Sequence, residues 1–292
     1  MTRCFIPPWR ILVAGWLAGT AIVALAADPP AFNVEPSRGW RYSVYAADLP
    51  NVDNLALASD GTVYVTLEQR AGSAAVVRLS KDKREPILGD LNRADGLLLR
   101  GKRLYVTEEV SEGRVIEIDL EKKTHRVLAT LDKAEGIGML PNGDLVVTED
   151  TVQGRLLRLH KDGSIEVILS GLNRPEGLAV AADGSIYIAE TSTGRILQFK
   201  NGRLNTVVND LNEPDQIRFA PDGALWITED ASPGQLLRLK DGNLETVASG
   251  LSYPQGITFF QDGVALVAEQ GRGRILRFAA EPPAAPKYIP PP

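Results

Sequence analysis

The 292-residue sequence predicts an all-β fold, a six-bladed β-propeller with four antiparallel strands per blade. Three observations predict it. A unit of about 40 residues recurs six times, anchored on Leu49, Leu91, Leu131, Leu172, Leu211 and Leu251 at spacings of 42, 40, 41, 39 and 40. Each unit breaks into short strand-like runs separated by Asx-Gly or Gly-Lys turns, and no helical periodicity competes. The last unit stops one strand short, after ILRFAA, whereas residues 40–48 (WRYSVYAAD) form a strand-like run with no partner of their own. That run is expected to complete the sixth blade and close the ring, removing sheet edges that would otherwise invite aggregation.

In chain order, residues 1–26 read as a secretory signal peptide. Arg3 and Arg10 precede an apolar run over residues 11–23, and Ala24-Leu25-Ala26 is a small-residue cleavage pattern. An uncleaved anchor is the alternative, but the run is short for a span and lacks a charged stop. Residues 27–39 are a lead-in, 40–280 the propeller, and 281–292 a proline-rich tail expected to be extended or disordered. A periplasmic or secreted location follows, with no membrane attachment after cleavage. Losing the leader removes Cys4, the only cysteine, so disulfides, thiol catalysis and cysteine metal sites are excluded. It also removes Arg3 and Arg10, taking the net charge from −5 to about −7, which argues against nucleic acid and suits cations.

The six units begin LPNVDN, LNRADG, LDKAEG, LNRPEG, LNEPDQ and LSYPQG, so an acid recurs at the start of the inner strand: Asp53, Asp95, Glu135, Glu176 and Asp215, with Gln255 in the sixth. A second acid recurs at the end of the next strand: Glu108, Glu149, Glu190, Glu229 and Glu269. With Pro-Asn-Gly (141–143) and Pro-Asp-Gly (221–223) as three-residue hairpin turns, Asp215 is expected opposite Glu229, Glu135 opposite Glu149 and Glu176 opposite Glu190. The shorter Gly101-Lys102 turn places Asp95 opposite Glu108. Opposed like charges cost several tenths of a kcal/mol or more each, so a cation, a shared proton or a donor must offset them. The second set repeats in step with Arg114, Arg155, Arg195 and Arg274, and reads as structural hydrogen bonding to adjacent blades. For the first set, at the channel mouth, a hard divalent ion and blade packing are both open readings. Arg93, Lys133 and Arg174 precede these acids as loop-surface charge or as holders of an anionic ligand. The histidines, His125 and His160, fall in outer parts of blades, which argues against a Ser/His/Asp arrangement at the channel.

PEGLAVAADGSIYIAETSTGRILQF resembles an NHL repeat, and nearly the whole mature chain resembles the calcium-dependent lactonases of the gluconolactonase and senescence-marker-protein family. The resemblance implies a metal-dependent hydrolase of a lactone or small ester, with calcium or a similar divalent cation held by strand-start residues. The family's early acidic position falls on Asp53, its Pro-Asn-Gly on Pro175-Glu176-Gly177 and its Pro-Asp-Gly on Pro214-Asp215-Gln216. By that analogy Asp215 is both a ligand and the general base, with Asp95 and Glu135 nearby. Where the family uses asparagine, this chain offers glutamate at 135 and 176, and the surplus charge favours more than one cation or carboxyl protonation. The TED and TEE segments resemble streptogramin lyases more weakly, since those have seven blades and a catalytic histidine near the channel. A non-catalytic propeller that binds a small ligand or a protein partner on its channel face is the alternative to an enzyme.

Overall fold

The computed structural model describes residues 33–282 apart from residues 71, 81 and 82. The expected signal peptide and most of the proline-rich tail lie outside the described residues. Six antiparallel sheets are arranged as blades, each running outward from an inner strand. The inner strands are Val52–Leu57, Ala94–Arg100, Ala134–Met139, Pro175–Val180, Pro214–Phe219 and Pro254–Phe259, in blades 1 to 6. Helix is confined, among the described residues, to two single 3-10 turns, Thr191–Thr193 and Gln270–Arg272.

The ring closes as the sequence predicts. Trp40–Ala46 pairs antiparallel with Arg274–Ala280, so the N-terminal run is the outer strand of blade 6. The lead-in does more than expected: Glu35–Pro36 pairs with Ala248 and Ser249 as a fifth strand on blade 5. Val34 is buried just before it, in the seam between blades 5 and 6. The core is divided among six such seams, because the inner strands of each blade carry apolar residues on both faces and each face meets a neighbouring blade, while the outer strands are largely exposed. Between blades 3 and 4, for example, Val146, Leu156 and Leu172 pack against Leu178, Ile188 and Leu197. In the closing seam Trp226 meets Trp40 edge-on at 5.2 Å and Phe259 at 5.3 Å.

One expectation is corrected. The Pro-Asp-Gly turn forms, with Ala220 N–H donating to Ala224 O at 2.8 Å and Gly223 at φ +81°. The strand-start acids nevertheless do not oppose the strand-end glutamates. Pro214, Pro175, Ala134 and Ala94 lie opposite Glu229, Glu190, Glu149 and Glu108, and the register slips by one before Ile217, Leu178, Ile137 and Leu97. A β-bulge at the mouth end of every inner strand inserts one extra residue and re-aims the acid. No like-charged pair is therefore forced face to face. The bulge also brings neighbouring inner strands close: a Cβ on Gly177 would lie 2.4 Å from Asp215 O, so only glycine fits there.

Candidate metal centre at the channel mouth

The loop residue two places before the strand-start position, an acid in five blades and Gln255 in the sixth, is left-handed in every blade: Asn51, Arg93, Lys133, Arg174, Glu213 and Tyr253, at φ between +42° and +53°. Non-glycine residues adopt this conformation at a cost of about 1 kcal/mol or more each, and only where the surroundings hold them there. The strand-end glutamates help to hold them. Asp132, Asn173 and Asn212 donate their backbone N–H to Glu149, Glu190 and Glu229 at 3.0, 2.9 and 2.8 Å. Arg114 adds a two-pronged contact to Glu108 at 2.6 Å, and Arg155, Arg195 and Arg274 repeat the pairing in their own blades. The second set is thus structural, as read from the sequence, but it ties the mouth loop to the third strand of its own blade rather than to the next blade. Blade-to-blade bonding comes from threonines: Thr107 and Thr148 donate to Glu135 O and Glu176 O, each at 2.6 Å.

These supports turn the strand-start acids toward the channel. Asp53, Asp95, Glu135, Glu176 and Asp215 are between 2% and 7% exposed. Beside them stands a second ring that sequence reasoning passed over: Glu68, Glu109, Asp150 and Asp230, completed by Thr191 and Gln270. Each member follows the last residue of a second strand, and its backbone N–H donates to the carbonyl of a left-handed loop residue, as Glu109 does to Arg93 and Asp150 to Lys133. The signal was present in TEE, TED and TED, as the residue after the repeated glutamate.

The cations at the mouth are not loose surface charge. Arg93 bridges Glu68 and Glu109. Arg174 binds both oxygens of Asp150 at 2.9 Å and Glu176 Oε1 at 2.8 Å, and the Thr191 hydroxyl lies 2.7 Å from Glu176 Oε2. Asp53 is held by Asn54 at 3.0 Å and Gln270 at 2.9 Å. Gln216 donates to Asp215 Oδ1 at 3.0 Å and leaves Oδ2 uncommitted. Glu135 is different: the residue is 5% exposed, and its carboxylate accepts no hydrogen bond from any described residue. Asp230 Oδ1 is likewise buried without a partner among them.

Carboxylate oxygens of Glu135, Glu176 and Asp215 lie within 4.8 Å of one another, and so do those of Asp95, Glu109 and Glu135. Asp53 belongs to neither group. Burial is the first cause that lifts the pKa of every one of these carboxyls, and neighbouring negative charge adds to it. Asp53, Asp95, Glu135 and Asp215 stand well above the ordinary range, with Glu176 pushed up to about 8, Glu109 to about 7 and Asp230 to about 6. Hard oxygen donors, crowded and short of hydrogen-bond donors, are the set that a divalent ion such as Ca²⁺ or Mg²⁺ takes. The donor set fits such an ion. Behind the acids lies a small cavity of about 20 Å³, lined by the polar side chains of Asn54, Gln216 and Arg218 and by Leu97, Ile137 and Ile217.

Known proteins share the fold in which this mouth is built. Residues 172–199 match the NHL repeat. The matched stretch runs from the end of blade 3 through most of blade 4, and includes Arg174, Glu176, Glu190 and Thr191. A sequence search among curated proteins finds no match. Among solved structures, a gluconolactonase from Xanthomonas campestris is similar with a TM-score of 0.70 at 16% identity, over 87% of this chain and 95% of that one. An auxiliary nutrient binding protein from Bacteroides thetaiotaomicron gives 0.69 at 12% identity, over 83% of this chain and 77% of that one. Virginiamycin B lyase from Staphylococcus aureus gives 0.61 at 15% identity, over 83% of this chain and all of the other. At these identities the likeness is one of fold, so the β-propeller stands, with one NHL repeat matched within it, and the chemistry rests on the site.

Proposed function

We propose that this chain is a secreted or periplasmic hydrolase that opens a lactone or related small ester, assisted by a divalent cation, calcium foremost, at the channel mouth. Glu135 carries the reading: a buried carboxylate without a donor, within 4.8 Å of Glu176 and Asp215 oxygens. The fold likeness to a gluconolactonase supports it. Glu135, Glu176 and Asp215 would hold the ion, with Asp95 and Asp53 flanking. When bound, the cation supplies Lewis-acid polarisation of the substrate carbonyl. Asp215 takes the proton from the attacking water on Oδ2, while Gln216 keeps Oδ1 in place. The same carboxyl returns that proton to the leaving alkoxide, so one water is consumed across the acyl C–O bond. This role requires an ionised Asp215, which burial and Glu176 oppose and a nearby cation favours.

A second reading has its own observation. Arg93 and Arg174 already engage four of the mouth's carboxylates, which suits a propeller that binds a ligand or partner protein without turnover. A lyase of the virginiamycin type has less support, because His125 lies on an outer strand and His160 sits between Asp144 and Glu166. The deciding experiment is hydrolysis of a panel of sugar and aliphatic lactones with calcium and with chelator. Metal-dependent opening of at least one member is expected; inactivity on all of them leaves the binding propeller ahead.

A further inference from the structure

The mouth's carboxylate oxygens fall into two groups, and Glu135 is the member they share. We infer that the mouth is a two-cation centre, in which Asp95, Glu109 and Glu135 hold a second divalent ion beside the first and Glu135 bridges the pair. The inference rests on the proposed ion at Glu135, Glu176 and Asp215.

Three observations point the same way. Glu135 is only 5% exposed, its carboxylate accepts no hydrogen bond from a described residue, and that carboxylate offers an oxygen within 4.8 Å of each set of partners. A carboxylate so placed needs positive charge on two sides, and a single ion serves one. The second group has its own unspent donors: Asn54 donates to Asp95 Oδ1 at 3.2 Å and leaves Oδ2 without a partner, and Arg93 engages Glu109 through Oε2. Charge balance favours the larger number of ions. The two rings contribute nine carboxyls, and the loop position adds Glu213 against Arg93, Lys133 and Arg174, a deficit of seven positive charges when all are ionised. One dication leaves five negative charges in a largely buried mouth, and two leave three.

The ligand class is a hard divalent cation, since every donor is a carboxylate oxygen. Both groups draw on neighbouring blades: Asp95 and Glu109 from blade 2 and Glu135 from blade 3 in one, Glu135, Glu176 and Asp215 from blades 3, 4 and 5 in the other. Ion binding would therefore tie four consecutive blades together.

The test is binding stoichiometry on the full mature chain, stripped with chelator, dialysed against calcium and measured by elemental analysis and calorimetry. Two ions per chain are expected for the wild type. Glu109→Gln should keep one and lose one, Asp215→Asn should keep the ion at Asp95 and Glu109, and Glu135→Gln should weaken both at least tenfold. Because a variant can fail to fold, each is first checked for a cooperative thermal transition, and the wild type is also loaded with Mn²⁺ alone. Two Mn²⁺ ions sharing Glu135 should give an exchange-coupled paramagnetic resonance signal, which isolated ions do not. One ion per chain, or a stoichiometry that Glu109→Gln leaves unchanged, overturns the second site while the hydrolase reading stands. No bound ion in the wild type overturns both.

Discussion

The Arg174 guanidinium hydrogen-bonds Glu176 at 2.8 Å, two residues along its own chain, while its other edge closes on Asp150 at 2.9 Å. This one side chain compensates two carboxyls that are both less than 10% exposed, and it does so from a left-handed backbone position. It therefore stands in for a cation on the Glu176 side of the mouth. Arg174→Gln removes that compensation. In chelator the variant should lose about 1–2 kcal/mol, less than for a fully buried pair because the Arg174 side chain is 46% exposed. With calcium the loss should shrink, because an ion replaces the missing charge. Thermal unfolding in the two buffers checks this, and a loss of equal size in both would mean that Glu176 does not face the ion.

The raised carboxyl pKa values give the ion-free protein an unusual pH profile. A carboxyl whose folded pKa exceeds its unfolded value contributes stability that is full below the unfolded pKa and disappears as pH rises through the folded one. Asp230 at about 6, Glu109 at about 7 and Glu176 at about 8 set the window. In chelator the midpoint of unfolding should fall steadily between pH 5 and pH 8.5. A tenfold difference in proton affinity between the folded and unfolded chain is worth up to about 1.4 kcal/mol, and coupling makes the sum smaller than the parts. Saturating calcium should flatten the decline, because it stabilises the ionised carboxylates. Below pH 4 a different group governs: Asp144, held down to about 2 by Arg158 and Asn142, loses its contribution on protonation. A chelated protein whose midpoint is flat or rises from pH 5 to 8.5 contradicts the crowding of the acids.

The propeller was legible because its signals are periodic and local. The leucine anchors, the Pro-Asn-Gly and Pro-Asp-Gly turns and the strand missing from the last unit each point to one architecture. The acid ring was legible for the same reason, since Asp53, Asp95, Glu135, Glu176 and Asp215 share one place in the repeat. The bulge was not, because turn length fixes register only as far as the ladder stays regular, and Pro214 rather than Asp215 ends opposite Glu229. The second ring escaped because Glu109, Asp150 and Asp230 sit beyond the strand ends, where side-chain direction depends on the loop. Arg93 and Arg174 look like surface charge in one dimension; left-handed loop geometry carries them into the mouth.

The closing strand yields a stability prediction. Trp40 packs edge-on against Trp226 at 5.2 Å, while Val34 and Glu35–Pro36 fix the segment just before it to blade 5. Trp40→Ala should cost about 2–4 kcal/mol, somewhat less than for a fully buried tryptophan. Deleting residues 27–48 should do far more, because it strips the outer strand from blade 6 and opens the ring. Denaturant titration of both forms measures the difference, and a deletion that unfolds like the wild type would remove the case for N-terminal closure.

Two carboxyls within one blade boundary separate catalysis from support. Asp215 projects to the mouth with Oδ2 free, and Glu190 is bound by Asn173 N–H at 2.9 Å and by Arg195. Asp215→Asn removes the proton acceptor but keeps an oxygen that can coordinate, so folding and most of the cation binding should survive. Lactone turnover should fall by about 10²–10⁴, the usual contribution of a general base. Glu190→Gln leaves the acid ring untouched and weakens the Arg195 pairing and the hold on the loop of Arg174, so its effect should appear as a lower unfolding midpoint, by about 1–2 kcal/mol. Measured at a temperature where it remains folded, its turnover should stay within a few-fold of the wild type. The comparison is made on one lactone at saturating calcium, with bound ion quantified for each protein. If Glu190→Gln proved as inactive as Asp215→Asn while fully folded, the division of labour between the two carboxylate sets would be wrong.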